Sequence, residues 1–206
     1  METASLDFGS PATSGSAVTV YSDAAVYSAV FGAITLLLLL ASATSWWSLR
    51  RAGSFGPSWS LSQTSASLRA LAALAMISMG LAQLTGGIDA YVQTQIAAEG
   101  THAYFQYISN ERLLGMSHAH LFGFFVSFGV QGLLLTGTQL SERTKTVAIC
   151  FALWAGIADV GSWWGIRNFD PRFEWLSMVC GSTTGVFVLL STGAVFKAVF
   201  GRGAPR

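Results

Sequence analysis

The sequence predicts an all-α integral membrane protein that folds as a bundle of five transmembrane helices. Of its 206 residues, 52% are hydrophobic and only 10% are charged, whereas a soluble domain usually carries about 25% charged residues. So few charges cannot cover a water-facing surface. Five apolar segments are long enough to cross a hydrocarbon core, which takes about 20 helical residues. None has the alternating pattern of a membrane barrel strand.

Polar loops rich in turn residues separate the five apolar segments, so each segment is predicted to form one span. Residues 23–200 are expected to form a single transmembrane domain. Residues 1–22 are polar, and they lack the basic start and early apolar core of a secretory signal. They are predicted to be a flexible periplasmic tail, and 201–206 a cytoplasmic tail. The spans are expected at about 24–48, 69–93, 113–137, 146–166 and 174–198.

The basic residues predict the orientation. Of the 11 Lys and Arg residues, only Arg112, Arg167 and Arg172 fall on the side of the N-terminus. The positive-inside rule therefore places the N-terminus outside and the C-terminus in the cytoplasm, as in a multi-pass protein of the bacterial inner membrane. The net charge is +1 and no basic tract is present, so the expected partner is the lipid bilayer and not nucleic acid.

Two expectations concern the membrane surface. The loop EGTHAYFQYISNER, between the second and third spans, contains several apolar residues and is expected to lie along the membrane. Five tryptophans lie near predicted span ends, where interfacial anchors occur. They are Trp46, Trp47, Trp163, Trp164 and Trp175.

The ionisable residues inside the spans mark the candidate site, because such groups are costly in lipid and usually face the bundle interior. The topology places them at similar depth, in the outer half of the membrane. This half is therefore expected to contain a polar site. Its candidate residues are Asp89, Glu111, His118, His120 and Asp159.

The segment NERLLGMSHAHLFGFF places two histidines two residues apart at the start of the third span. Met116, His120 and Gly123 share one helical stripe that continues to Ser127 and Gln131, so His120 is predicted to face the bundle. His118 is rotated by about 200° from His120. A regular helix does not chelate one metal ion through residues i and i+2, so each histidine needs a ligand partner from another helix.

Three interpretations of the histidines remain open. In the first they bind haem b or copper: His118, His120 and Asp159 are the candidate metal ligands, and Met116 and Gly123 also contact the cofactor. Met76 and Met79 are further candidate ligands. In the second, the site binds a quinone or relays protons, with Asp89, Glu111, Asp159 and Trp163 as contacts. In the third, His120 and Asp159 form a buried structural pair.

Two resemblances accompany these residues. The segment HAHLFG resembles part of the catalytic subunit of cbb3-type haem-copper oxidases. That family needs six histidines, and this chain has two within its spans, so the chain is not a catalytic subunit. Over residues 85–195, the pattern H-x-H-L-F, ADVGSWWGIRNF and PRFEWL is similar to uncharacterised bacterial inner-membrane proteins found alongside multihaem cytochromes and respiratory genes. This second resemblance implies a redox setting, and His118, His120 and Asp159 match its motif positions.

These observations predict an accessory or electron-transfer subunit of a membrane redox complex in the respiratory chain. It is expected to bind haem b or copper at the outer His/Asp site and to associate with other membrane or periplasmic redox subunits. A haem would lack a second axial histidine from this chain. The alternatives are a non-catalytic structural subunit that docks a partner complex, or a quinone-binding, proton-binding or transport protein. Whether any reaction is catalysed is left open.

Overall fold

A computed structural model describes residues 23–51 and 59–201, and all regular structure within them is helical. The predicted tail 1–22 and residues 202–206 lie outside this part of the chain. A 3₁₀ turn at Leu61–Gln63 precedes α2, and a π-helical turn at Val92–Ala97 follows it. The α-helices are α1 (Asp23–Arg51), α2 (Ala66–Tyr91), α3 (Thr101–Tyr107), α4 (Asn110–Thr136), α5 (Glu142–Asn168) and α6 (Phe173–Phe200).

Five of these segments are long and apolar enough to cross a membrane, which confirms the predicted fold class. Side-chain caps explain why three helices begin a few residues before the predicted spans. The hydroxyls of Ser65, Ser109 and Ser141 accept hydrogen bonds from backbone N–H groups in the first turns of α2, α4 and α5. Such caps satisfy amide groups that have no partner inside the helix.

Helix α5 is the centre of the bundle, because α1, α3, α4 and α6 all contact it. Its buried face contains small residues, which let helices approach closely in a membrane. An added Cβ at Gly156 would lie 2.9 Å from the Phe124 ring, and one at Gly165 would lie 2.5 Å from the Phe173 ring. These two glycines therefore allow α4 and the start of α6 to pack directly on α5.

Helix α2 packs only through its first half, where Ala72, Ala73 and Met76 are buried against α4 and α6. At the same end of the bundle, the Trp59 ring lies on Gly137, where an added Cβ would meet it at 2.5 Å. We call this end the Trp59 end. The opposite end carries α3 and the α5–α6 connection and is called the α3 end.

The loop between α2 and α4 contains the short helix α3, which is folded onto α5. The ring of Phe105 stacks on that of Trp163, with 5.6 Å between ring centroids. The guanidinium of Arg167 donates to the carbonyl oxygens of Phe105 at 3.0 Å and Gln106 at 2.9 Å. These carbonyls lie in the last turn of α3 and have no partner within it, so Arg167 holds the loop in place.

The expected tryptophan anchors divide into two groups. Trp46 and Trp47 are exposed beneath the guanidinium groups of Arg50 and Arg51, and Trp175 is also exposed, as interfacial anchors are. The prediction was wrong for Trp163 and Trp164, which are both buried. Their positions near the end of a span suggested an interface, but α1, α3 and α4 enclose this part of α5.

Candidate functional site

The His120 imidazole lies between α4 and α5, in the half of the bundle near α3. Its Nδ1 lies 2.9 Å from the carbonyl oxygen of Met116, one turn earlier on α4. Because a carbonyl can only accept, Nδ1 carries the proton. In the neutral ring, Nε2 then keeps its lone pair. The described residues provide no hydrogen bond to Nε2, and the side chain is exposed on the outside of the bundle.

Two aromatic rings hold the imidazole in place. The Trp163 ring of α5 meets it edge to face, with 4.8 Å between ring centroids, and the Phe124 ring lies at 6.0 Å. The prediction that His120 faces the bundle interior is met only in part, because the imidazole contacts Trp163 of α5 but its side chain is exposed. His120 is therefore fixed on two sides, and Nε2 remains available to a ligand.

The Asp159 carboxylate of α5 belongs to the same site. It accepts a hydrogen bond of 2.5 Å from the Ser177 hydroxyl of α6. The Trp163 side chain also hydrogen-bonds this carboxylate, and His120 lies close enough to interact with it electrostatically. Three helices thus contribute to one polar group. We call His120, Asp159, Trp163 and Ser177 the His120 cluster.

His118 does not join the His120 cluster. It is exposed on α4, on a different side of the helix from His120, as its two-residue offset requires. Within the described ranges, no three His, Cys, Asp or Glu side chains come close enough to hold a metal ion together. The predicted set of His118, His120 and Asp159 is therefore not assembled as one chelate, and copper binding stays a prediction that requires ligands from a partner.

The structure also locates the sulfur ligands considered for a haem. Met76 is buried at the Trp59 end with Leu134 and Val195. Leu134 is 14 residues beyond His120 on α4, or about 21 Å along the helix. Met76 therefore does not reach His120. Met116 packs beside the aromatic core near α3, and its backbone is the group that contacts the imidazole.

The surface of α4 around the histidines is open. A Cβ added at Gly115 or Gly123 would meet no atom within 4 Å. If a haem bound on the face of α4 beside Gly123, His120 Nε2 could supply one ligand to its iron. The described part of the chain brings no second axial ligand to it. The site residues thus fit half of a haem-binding site.

The predicted acidic contacts lie apart from the cluster. Asp89 is exposed in the second half of α2, which has no buried residue, and Glu111 is exposed in the first turn of α4. The sequence predicted the correct end of the bundle for both residues. It could not predict which helices lie beside them, because the helix rise determines the depth of a residue but not which helices are neighbours.

The sequence did not reveal every contributor to the polar contacts inside the bundle. Ser177 was not distinguished from the other serines of α6, and no local pattern marks it. A second polar group lies deeper, where Gln131 is fully buried. Its side chain accepts from Ser191 at 3.0 Å and donates to Ser127 at 3.1 Å. We call these three residues the Gln131 cluster. The stripe on α4 contained Gln131 and Ser127, but nothing pointed to Ser191.

A family model called Aq_1264_TM, described as a transmembrane helical domain, matches residues 88–206. The match covers more than half of the chain, including α3 to α6 and every residue of both polar clusters. The chain therefore belongs to this family of membrane proteins. No curated protein and no solved structure matches it significantly.

Proposed function

We propose that this member of the transmembrane helical domain family is the membrane subunit of a bacterial respiratory redox complex. Its His120 cluster would bind the headgroup of a quinone-class cofactor. The observation that supports this function is the exposed imidazole of His120, which interacts electrostatically with Asp159 and whose Nε2 has no hydrogen bond from the described residues. A quinone is dissolved in the bilayer, so it can reach this site laterally.

The chemistry of the two ionisable groups suits a quinol. His120 Nε2 accepts a hydrogen bond from one quinol hydroxyl, and the Asp159 carboxylate is the second proton acceptor of the cluster. Oxidation of a quinol releases two protons and two electrons. His120 and Asp159 take up the protons, and the electrons pass to a cytochrome of a partner subunit. Ser177 and Trp163 hold the carboxylate in place through their hydrogen bonds.

The proposed cellular setting rests on the sequence. The excess of Lys and Arg at the Trp59 end and at the C-terminus favours a cytoplasmic position for that end. The His120 cluster then lies in the periplasmic half of the inner membrane. Protons released there would leave on the periplasmic side. The resemblance to proteins found with multihaem cytochromes supports a redox partner.

The test is to purify the protein in a mild detergent, extract it with organic solvent and quantify bound quinone by chromatography. We expect close to one quinone per chain in the unaltered protein and at least tenfold less in His120→Ala. His118→Ala is the matched control, because it removes an exposed imidazole of the same helix. Equal quinone content in all three proteins would contradict the proposal.

Haem b binding is the second candidate function, and one specific observation favours it. The hydrogen bond from Nδ1 to a backbone carbonyl is the arrangement that orients ligating histidines in metal sites. The face of α4 at Gly123, beside His120, is also unpacked among the described residues. An absorption spectrum of the same sample separates the candidates. A Soret band that shifts on reduction with dithionite and is lost in His120→Ala would support haem.

A further inference from the structure

A groove of about 820 Å³ runs between α5 and α6 on the outside of the bundle. The exposed side chain of Arg143 lies at the Trp59 end of the groove, and Trp175 lies at the α3 end. Between them the walls are almost entirely apolar, with Phe151 on α5 and Val186 and Leu190 on α6. The groove is separate from the His120 cluster, since none of the four cluster residues lines it.

The length and apolar character of the groove suit a lipid chain. From Trp175 to Leu190 the groove follows 15 residues of α6, which is about 22 Å. Large side chains such as Phe151 and Val186 alternate with small ones such as Ala148 and Ser182 along its walls. A flexible acyl chain can follow such an uneven apolar surface.

The positive charge of Arg143, at the Trp59 end of the groove, favours a lipid with an anionic headgroup. Arg143 is in the first turn of α5, where the helix dipole also favours an anion. Among the described residues it makes no ion pair. The nearest carboxylate in sequence, Glu142, is engaged by the Lys145 ammonium at 2.8 Å. A positive charge at the end of an apolar groove, near the membrane surface, is complementary to a lipid phosphate.

We infer that this groove binds one anionic glycerophospholipid. Its phosphate lies beside Arg143, and an acyl chain follows the groove past Phe151 toward Val186. The lipid belongs to the leaflet at the Trp59 end. This inference is independent of the function of the His120 cluster, because it depends on other residues and on another face of the bundle.

The experiment places the full chain in nanodiscs with equal amounts of phosphatidylcholine and phosphatidylglycerol that have identical acyl chains. Native mass spectrometry then counts the molecules of each lipid that remain bound after the protein is released from the nanodisc. We expect one phosphatidylglycerol per chain, retained at least fivefold more often than phosphatidylcholine. Arg143→Gln should abolish this preference. Arg69→Gln, which removes a basic residue at the same end but outside the groove, should preserve it.

A second pair of variants tests the apolar part of the site. Val186→Trp places a large ring in the groove and should reduce retention of both lipids at least fivefold. Leu189→Trp adds the same ring to the neighbouring position, which is 76% exposed and does not line the groove. It should have no effect. Circular dichroism confirms that each variant keeps its helical content.

Three results would overturn the inference. The first is equal retention of the two lipids by the unaltered protein. The second is the same loss in Arg143→Gln and Arg69→Gln, which would mean that charge at the groove has no special role. The third is a dimer free of bound lipid whose formation is prevented by Val186→Trp, because a second copy would then occupy the groove.

Discussion

The His120 cluster and the Gln131 cluster differ in whether their polar groups find hydrogen-bond partners within the protein. Both contain residues of α4 and α6. In the Gln131 cluster, Gln131 and Ser191 are fully buried, and the amide both donates and accepts within the protein. In the His120 cluster, the imidazole is exposed, and the described residues leave Nε2 without a hydrogen bond.

This difference separates structural polar groups from binding groups. A buried polar network with every partner present stabilises one helix arrangement and has no capacity for a ligand. A polar group that faces lipid with a free lone pair is costly unless something binds it. The Gln131 cluster therefore serves packing, and the His120 cluster is the better candidate for function.

The largest expected effect concerns another buried polar contact, the hydrogen bond between Trp164 and Ser117. The Trp164 side chain is fully buried, and its indole N–H donates to the Ser117 hydroxyl at 2.9 Å. Trp164→Ala should lower the free energy of unfolding by about 3–5 kcal/mol, because it leaves a cavity in the bundle. Unfolding in mixed detergent micelles measures the change.

Trp46→Ala is the control for Trp164→Ala, since Trp46 is 61% exposed. Its expected cost is below about 0.5 kcal/mol, as for most surface substitutions. Similar losses in both variants would mean that Trp164 is not part of a packed core.

The next largest effect is expected for Asp159 in the His120 cluster. Asp159→Asn keeps the shape of the side chain and an oxygen that can accept from Ser177, but it removes the proton acceptor. The affinity for a quinol should fall about tenfold, which corresponds to about 1.4 kcal/mol. Competitive displacement of a labelled quinol measures this loss. Unchanged affinity would remove Asp159 from the site.

A smaller effect is expected for Gln131→Leu in the Gln131 cluster. The substitution keeps the side-chain volume, and the Ser191 hydroxyl retains its hydrogen bond to the Val188 carbonyl. Interhelical hydrogen bonds in membranes contribute about 0.6 kcal/mol on average. The free energy of unfolding should fall by about that amount, with no change in bound quinone. Loss of quinone in this variant would contradict the division between the two clusters.

The sequence predicted the membrane fold well because composition and run length decide it. Apolar segments of the required length have few alternatives to a transmembrane helix. The helical stripe predicted a bundle-facing position for both Gln131 and His120, and this is correct for Gln131, which is buried, whereas His120 is exposed beside Trp163. The sequence could not predict where the loop before α4 packs, since Arg167 is 61 and 62 residues away from the two carbonyls to which it donates.

The candidate site was only partly predictable, because it also depends on contacts between residues that are far apart in the sequence. His120 and Asp159 were expected at similar depth, and they do lie together. His118 and Asp89 were also expected there, but they lie elsewhere because their directions depend on which helices become neighbours. Trp163 suggested an interface by its position near a span end. In the structure it is buried beneath α3, an element that was not predicted.

The most direct test of the account is a binding measurement on three proteins. A tritiated benzoquinone with a ten-carbon tail is titrated into the detergent-solubilised unaltered chain, His120→Ala and His118→Ala in a scintillation proximity assay. We predict that Kd rises at least tenfold in His120→Ala and less than twofold in His118→Ala. The free energy of unfolding should change by less than about 1 kcal/mol in both variants. If His120→Ala binds the quinone as tightly as the unaltered protein, the His120 cluster is not a quinone site and the account is wrong.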